Sequence, residues 1–352
     1  MPIPRPHAEI IELQYLRAIA VLMVVGGHLH QAGARFVGAD LVGQAGFVGF
    51  AGVDVFFVIS GFIIHTLYRQ AKGPSLSFAL KRLNRIFPLY WIFTAVTFAG
   101  YLVISEQMGS ADRSIEWLTT LTLLPTGHPP LLMVGWTLTH ELYFYLVYGL
   151  ALFLPRRWRI GAAALWATLT LLSVGDVIHP DQPWAVLALS GFNLQFLAGV
   201  ILAEFRDRLP RLRGASSAVA LLGLALAIGW TSISGIDGLS HADTRAIIFA
   251  PMAIGVVWAV LAWQPRWPRA LAAIGDWSYA IYLGHLLVIG VLARLLPGLI
   301  PGTLPALLVL YATGLGASIL LGALTHRLVE QPLLVAGKAL IARVSPRQKP
   351  DR

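Results

Sequence analysis

Apolar residues in this chain gather into long runs, not into the short alternating patches of a soluble strand or surface helix. Runs of roughly 18 residues or more can cross a bilayer as a helix. Ten can be drawn, at 12–31, 46–68, 86–105, 135–154, 160–175, 184–204, 217–235, 245–263, 277–296 and 304–329. The fifth is short, and a further apolar stretch at 115–125 is too brief to span and reads as re-entrant or interfacial. The pattern predicts an all-α, polytopic integral membrane bundle of about ten transmembrane helices. Around it the sequence predicts an N-terminal arm over 1–11, a membrane domain over 12–337 and a basic tail over 338–352 that frays or lies on an anionic leaflet.

Composition agrees: 57% of the 352 residues are hydrophobic and 12% charged, which excludes a soluble globular domain. The net charge of +9 would suit nucleic acid, but its placement does not. Basic residues cluster in alternate loops, from Arg69 to Arg85, Arg156 to Arg159, Arg206 to Arg213, at Arg266 and Arg269, and again from Lys338 onward. The intervening loops hold only Arg35, Arg113, Arg245 and the helix-end Arg294. The positive-inside rule then sets both termini in the cytoplasm. Segment one has no small-residue cleavage site and contains Arg17, so it reads as a retained anchor. The chain has no cysteine, which removes disulfides, thiolate metal sites and a cysteine nucleophile. No internal repeat of the kind found in many transporters is visible.

Polar residues inside the runs are the candidates for chemistry, because ionisable groups in a bilayer are costly and tend to be functional. Arg17 and His28, eleven residues apart, share one face of segment one. Asp54 in segment two and Glu141 in segment four lie at depths similar to that of His28. The three are expected to meet in the outer half of the bundle, a carboxylate orienting the imidazole as a general base. Ser278, Tyr282 and His285 form one polar stripe on segment nine. At the inner end, Arg82 and Arg85 share a face just before the third helix and could clamp phosphates, though spacing alone favours plain positive-inside topology with snorkelling. Glu330, four residues after His326, is level with Arg17, and an Arg17–Glu330 pair is expected there. The chain lacks the G-x-S-x-G, P-loop, H-E-x-x-H and H-x₄-D motifs.

Taken in order, these residues resemble the membrane acyltransferase family 3, acyl-CoA-dependent O-acyltransferases of bacterial surface glycans. The elements are LQYLRAIAVLMVVGGHLH (13–30), GVDVFFVISGFII (52–64), RLNRIFPLYW (82–91), WTLTHELYFY (136–145), WSYAIYLGHLL (277–287) and RLVEQP (327–332). The W-T-L-T-x-E form is most similar to exopolysaccharide O-acetyltransferases. His140 stands where many members have a glutamate, and Gly284 where they have tryptophan. No hydrolase-like domain is fused, so transfer is expected to finish in this domain or on a separate partner.

The resemblance implies an O-acyltransferase of the bacterial inner (cytoplasmic) membrane. Acyl-CoA, expected as acetyl-CoA, is a co-substrate, and no bound cofactor or metal is expected. Arg82, Arg85 and Arg17 would hold the donor, His28, Glu141 and Asp54 would be catalytic, and Ser278, Tyr282, His285 and Glu330 would support them. The partner is a carbohydrate acceptor, lipid-linked or polymeric, and not nucleic acid. A proton-coupled transporter is the competing reading, since it also uses intramembrane Arg, His, Asp and Glu.

Overall fold

The computed structural model describes residues 10–71, 76–104 and 114–344. Every regular element among them is helical. The first helix, α1 (Ile11–Ala32), continues through a π-helical turn at Gly33–Val37. A 3₁₀ stretch, Gly43–Ala51, leads into α2 (Gly52–Tyr68). Then come α3 (Leu76–Ile104), the short α4 (Trp117–Thr122), α5 (Gly135–Ala151) and α6 (Arg156–Val174). The next run is divided into α7 (Pro183–Ala188) and α8 (Phe192–Glu204). After these follow α9 (Arg213–Ser234), α10 (Ala242–Trp263), α11 (Arg269–Leu299) and α12 (Thr303–Thr325). A π-helical turn, His326–Glu330, joins α12 to α13 (Gln331–Val344).

Eight stretches of the described residues are long and apolar enough to cross a membrane. They coincide with eight of the ten runs read from the sequence. The other two are also helices: α5 has only 17 residues, and α6 opens on Arg156, Arg157 and Arg159, which dilute its hydropathy. The helix expected to begin at residue 86 begins at Leu76, so Arg82 and Arg85 lie within α3, not ahead of it. Its first turns mix the buried Phe78 with Lys81, Arg82, Asn84 and Arg85, and a hydropathy run does not register such a start. The tail expected from 338 is helical as far as Val344; residues 345–352, like 1–9 of the arm, lie outside the described residues. α4 does not span, and it is held to α3 by the Tyr90 hydroxyl on Thr120 O (2.7 Å) and the Trp91 indole on Leu121 O (2.9 Å).

Lipid tails are as apolar as leucine, so helices in a bilayer associate through close packing and polar contacts. α1 sits at the centre, packed on α11 and α2, with α8 against α2 and α9 against α10. Between α2 and α8 the backbones nearly touch. A Cβ on Gly61 would stand 2.0 Å from Phe196 O, and one on Gly199 2.0 Å from Val58 O, so only glycine fits either place. The break between α7 and α8 frees backbone groups that need partners in an apolar setting. Asp243 accepts from the Gly191 N–H (2.8 Å), and Trp166 donates to Ala188 O (2.7 Å). This seam brings α8 and α10 side by side around the buried Asp54.

Candidate active site

Among the described residues two cavities stand out, one toward each end of the bundle. The cavity at the end rich in basic residues is about 370 Å³ and is lined by Arg17, Ser60, Lys81, Arg82, Arg85, Glu141, Tyr145, Ser278 and Lys338, among others. The second, about 250 Å³, is lined by His28, Gln31, Phe50, Trp136 and Arg245 with apolar neighbours. Both touch Val53 and Tyr282, which form a shared wall. Tyr282 is fixed there by its hydroxyl on Thr137 Oγ1 (2.9 Å) and by an edge contact with Phe56.

In the basic-end cavity, α1 supplies Arg17, whose Nε donates to Ser278 Oγ on α11 at 3.1 Å. The Arg82 guanidinium lies over the rings of Tyr68 and Tyr145. Its Nε–H is buried without a protein partner. Glu141 accepts from Ser60 Oγ (3.1 Å) and from the Tyr145 hydroxyl one turn along α5. Arg85 is ion-paired with Glu330, which also takes the His326 Nδ1 contact at 2.7 Å. The expected Arg17–Glu330 pair is therefore replaced by Arg85–Glu330. The early start of α3 swings Arg85 to the π-helical turn, while Arg17 is turned toward Ser278 and Gln14.

Beyond the wall, His28 and His285 touch. His285 Nε2 is 3.3 Å from His28 Nδ1. Each ring also sets its Nδ1 against a backbone carbonyl, His28 on Val24 O (2.9 Å) and His285 on Tyr282 O (2.7 Å). A carbonyl only accepts, so each Nδ1 carries hydrogen. The single His28 Nδ1–H is then shared between Val24 O and His285 Nε2, and His28 Nε2 is left with a free lone pair.

The expected meeting of His28, Asp54 and Glu141 does not occur. Asp54, fully buried, accepts from Gln195 Nε2 (2.7 Å) and pairs with Arg245 (3.4 Å), while Glu141 belongs to the other cavity. Similar depth did not mean adjacent helix faces. Sequence reasoning passed over Arg245, which donates to Phe50 O (2.9 Å), lies over the Trp136 and Phe192 rings and reaches His28 electrostatically. Its signal was its position, an arginine on a side otherwise poor in basic residues. Among the described residues, no group of three or more metal-ligating side chains is arranged around a metal position.

This architecture is that of a polytopic membrane protein with ligand-sized clefts between its helices. The chain belongs to acyltransferase family 3: the family's model, an acyltransferase domain, matches residues 10–324. It is thus a multi-pass membrane acyltransferase, and the carrier reading is set aside. It is 33% identical to the exopolysaccharide production protein ExoZ of Rhizobium meliloti, over 86% of this chain and 95% of the relative. Nodulation protein 10 of Rhizobium leguminosarum is 28% identical over 83% of the chain and 84% of its own length. The O-acetyltransferase OatA of Staphylococcus aureus is 25% identical over 92% of the chain and 57% of its own length. No solved structure gives a significant match.

Proposed function

We propose that this chain transfers an acyl group, acetyl in the simplest case, from acyl-CoA to a hydroxyl of a cell-surface or exported carbohydrate at a bacterial inner membrane. The observation that carries the reading is the pair of cavities sharing one wall, with Arg17, Arg82 and Arg85 on one side and His28 with Arg245 on the other. By the positive-inside rule the basic end faces the cytoplasm, where acyl-CoA is made. Arg82 and Arg85 offer forked donors for its phosphates, and the orphaned Arg82 Nε–H suits an anionic oxygen. Arg17, Ser278, Ser60 and Glu141 are the polar groups a pantetheine arm meets on its way to the wall. The names of the relatives, exopolysaccharide production and O-acetyltransferase, support a carbohydrate acceptor and an acetyl donor.

In this reading His28 Nε2 takes the proton of the acceptor hydroxyl as the oxygen attacks the thioester carbonyl carbon. The C–S bond breaks, and the thiolate receives that proton from His28. Val24 O and His285 hold the imidazole in the tautomer this requires. Arg245 sets a positive charge beside the oxygen that becomes negative in the transition state, and Asp54 holds Arg245 in place. The carboxylate acts through the arginine, not through the histidine.

The test is transfer of radiolabelled acetyl from acetyl-CoA to glycan-bearing membranes, comparing wild type with His28→Ala at equal expression. Label present in wild type and lost in the variant supports the assignment. Equal label in both removes His28 from the chemistry, and no label in either counts against acetyl-CoA as donor to these glycans.

A further inference from the structure

The family match ends at residue 324, but the basic-end cavity does not. Its mouth is completed by α13, beyond the match, through Leu334 and Lys338, which are one helical turn apart. Two contacts seat this helix on α3. The Glu330 carboxylate at its start is paired with Arg85. Further along, Gly337 lies so close to Asn84 that a Cβ would fall 1.8 Å from its side-chain oxygen. Lys338 is thereby stationed at the cavity mouth with Lys81 of α3.

The cations of the cavity are graded by depth. Lys81 and Lys338 are exposed, Arg82 and Arg85 are half-buried, and Arg17 lies against the fully buried Ser278. Coenzyme A has a matching order: a thioester leads, a pyrophosphate follows, and a 3′-phosphate on the ribose comes last. A donor that enters thioester first sets its pyrophosphate among the arginines and its 3′-phosphate at the rim. We infer that Lys338, with Lys81, is a subsite for the 3′-phosphate of the donor. The enzyme then selects free 3′-phosphorylated CoA thioesters over donors that carry only a pyrophosphate or a protein-linked phosphopantetheine. The inference rests on acyl-CoA being the donor. It assigns a ligand contact to α13, where the sequence offered only a basic tail.

The experiment is equilibrium binding of CoA and of 3′-dephospho-CoA to the purified full-length protein, wild type against Lys338→Ala and Lys338→Arg. Wild type is expected to prefer CoA by about fivefold, the scale of one exposed charge contact. Lys338→Ala should weaken CoA, leave dephospho-CoA unchanged and so erase the preference, which Lys338→Arg keeps. Equal wild-type affinity for the two nucleotides, or equal weakening of both by Lys338→Ala, overturns the subsite and leaves the donor assignment standing. Failure of wild type to bind either nucleotide overturns the donor assignment and the subsite with it.

Discussion

His285 Nε2 lies 3.3 Å from His28 Nδ1, and the direction of that hydrogen bond is fixed by the carbonyls behind each ring. On the proposed mechanism the pair would do what a histidine and a carboxylate do elsewhere, with a neutral acceptor in place of the anion. In an apolar interior this avoids burying a further negative charge.

On that mechanism His285 would be a positioning residue. His285→Leu removes the acceptor and is expected to lower kcat by about tenfold to a hundredfold, less than the roughly 10²–10⁴-fold attributed to the general base itself. The KM for acyl-CoA should change little. His285→Gln keeps an acceptor near the same place and should recover part of the loss. Steady-state kinetics of the three forms checks this; equal activity of the Leu and Gln variants would sink the tautomer argument.

Arg82 is expected to act on donor binding. Charge-assisted hydrogen bonds contribute about 1.5–3 kcal/mol, so Arg82→Ala should raise the KM for acetyl-CoA by roughly tenfold or more. Acceptor KM should stay near that of wild type. Titration of each substrate separately makes the comparison, and an effect confined to the acceptor would place Arg82 outside the donor site.

Asp54 is expected to matter first to stability. Asp54→Asn leaves Arg245 without its anion in a buried setting, a change that costs about 3 kcal/mol in comparable pairs. Thermal unfolding of the purified protein should show a clear fall in Tm, partly recovered in the double variant Asp54→Asn/Arg245→Gln. A single variant with wild-type Tm and no activity would instead make Asp54 a chemical participant.

Tyr282 closes the passage between the cavities. Tyr282→Ala should open it and let water reach the thioester, so that acetyl-CoA hydrolysis without acceptor rises relative to transfer. Tyr282→Phe keeps the wall and loses only the hydroxyl's contacts with Thr137 Oγ1 and Val134 O, each worth about 1 kcal/mol, and should remain coupled. Thiol release measured with and without acceptor membranes separates the two; unchanged hydrolysis in Tyr282→Ala would mean that another group forms the barrier.

Much of the bundle was readable because its drive is written locally. Long apolar runs announce helices, and helical spacing told correctly that Ser278, Tyr282 and His285 share a face and that Arg17 and His28 look the same way. What periodicity cannot supply is the neighbour on the next helix. Depth alone grouped His28 with Asp54 and Glu141, yet packing turned Asp54 toward Gln195 and Arg245 and left His28 to His285. Arg85 was grouped with Arg82 and Arg17 at one end of the bundle, but its pairing with Glu330 was not foreseen, because the helix that carries it starts ten residues before the apolar run does. The division between α7 and α8 was hidden for a related reason, since its backbone is satisfied by distant side chains such as Asp243 and Trp166.

The wall at Val53 and Tyr282 also has an electrical consequence. Where two clefts approach each other from opposite sides of a bilayer, the membrane voltage falls across the thin partition between them. On the proposed mechanism, an acyl group passing that partition would leave a thiolate behind and release a proton ahead, separating one elementary charge, worth about 2.3 kcal/mol per 100 mV. If the proton taken by His28 returns to the sulfur, that separation is cancelled and turnover is indifferent to voltage. On the proposed mechanism, His28 beside the wall would hand the proton back to the sulfur, and an energised membrane would modify its own exports without loading the reaction with electrical work.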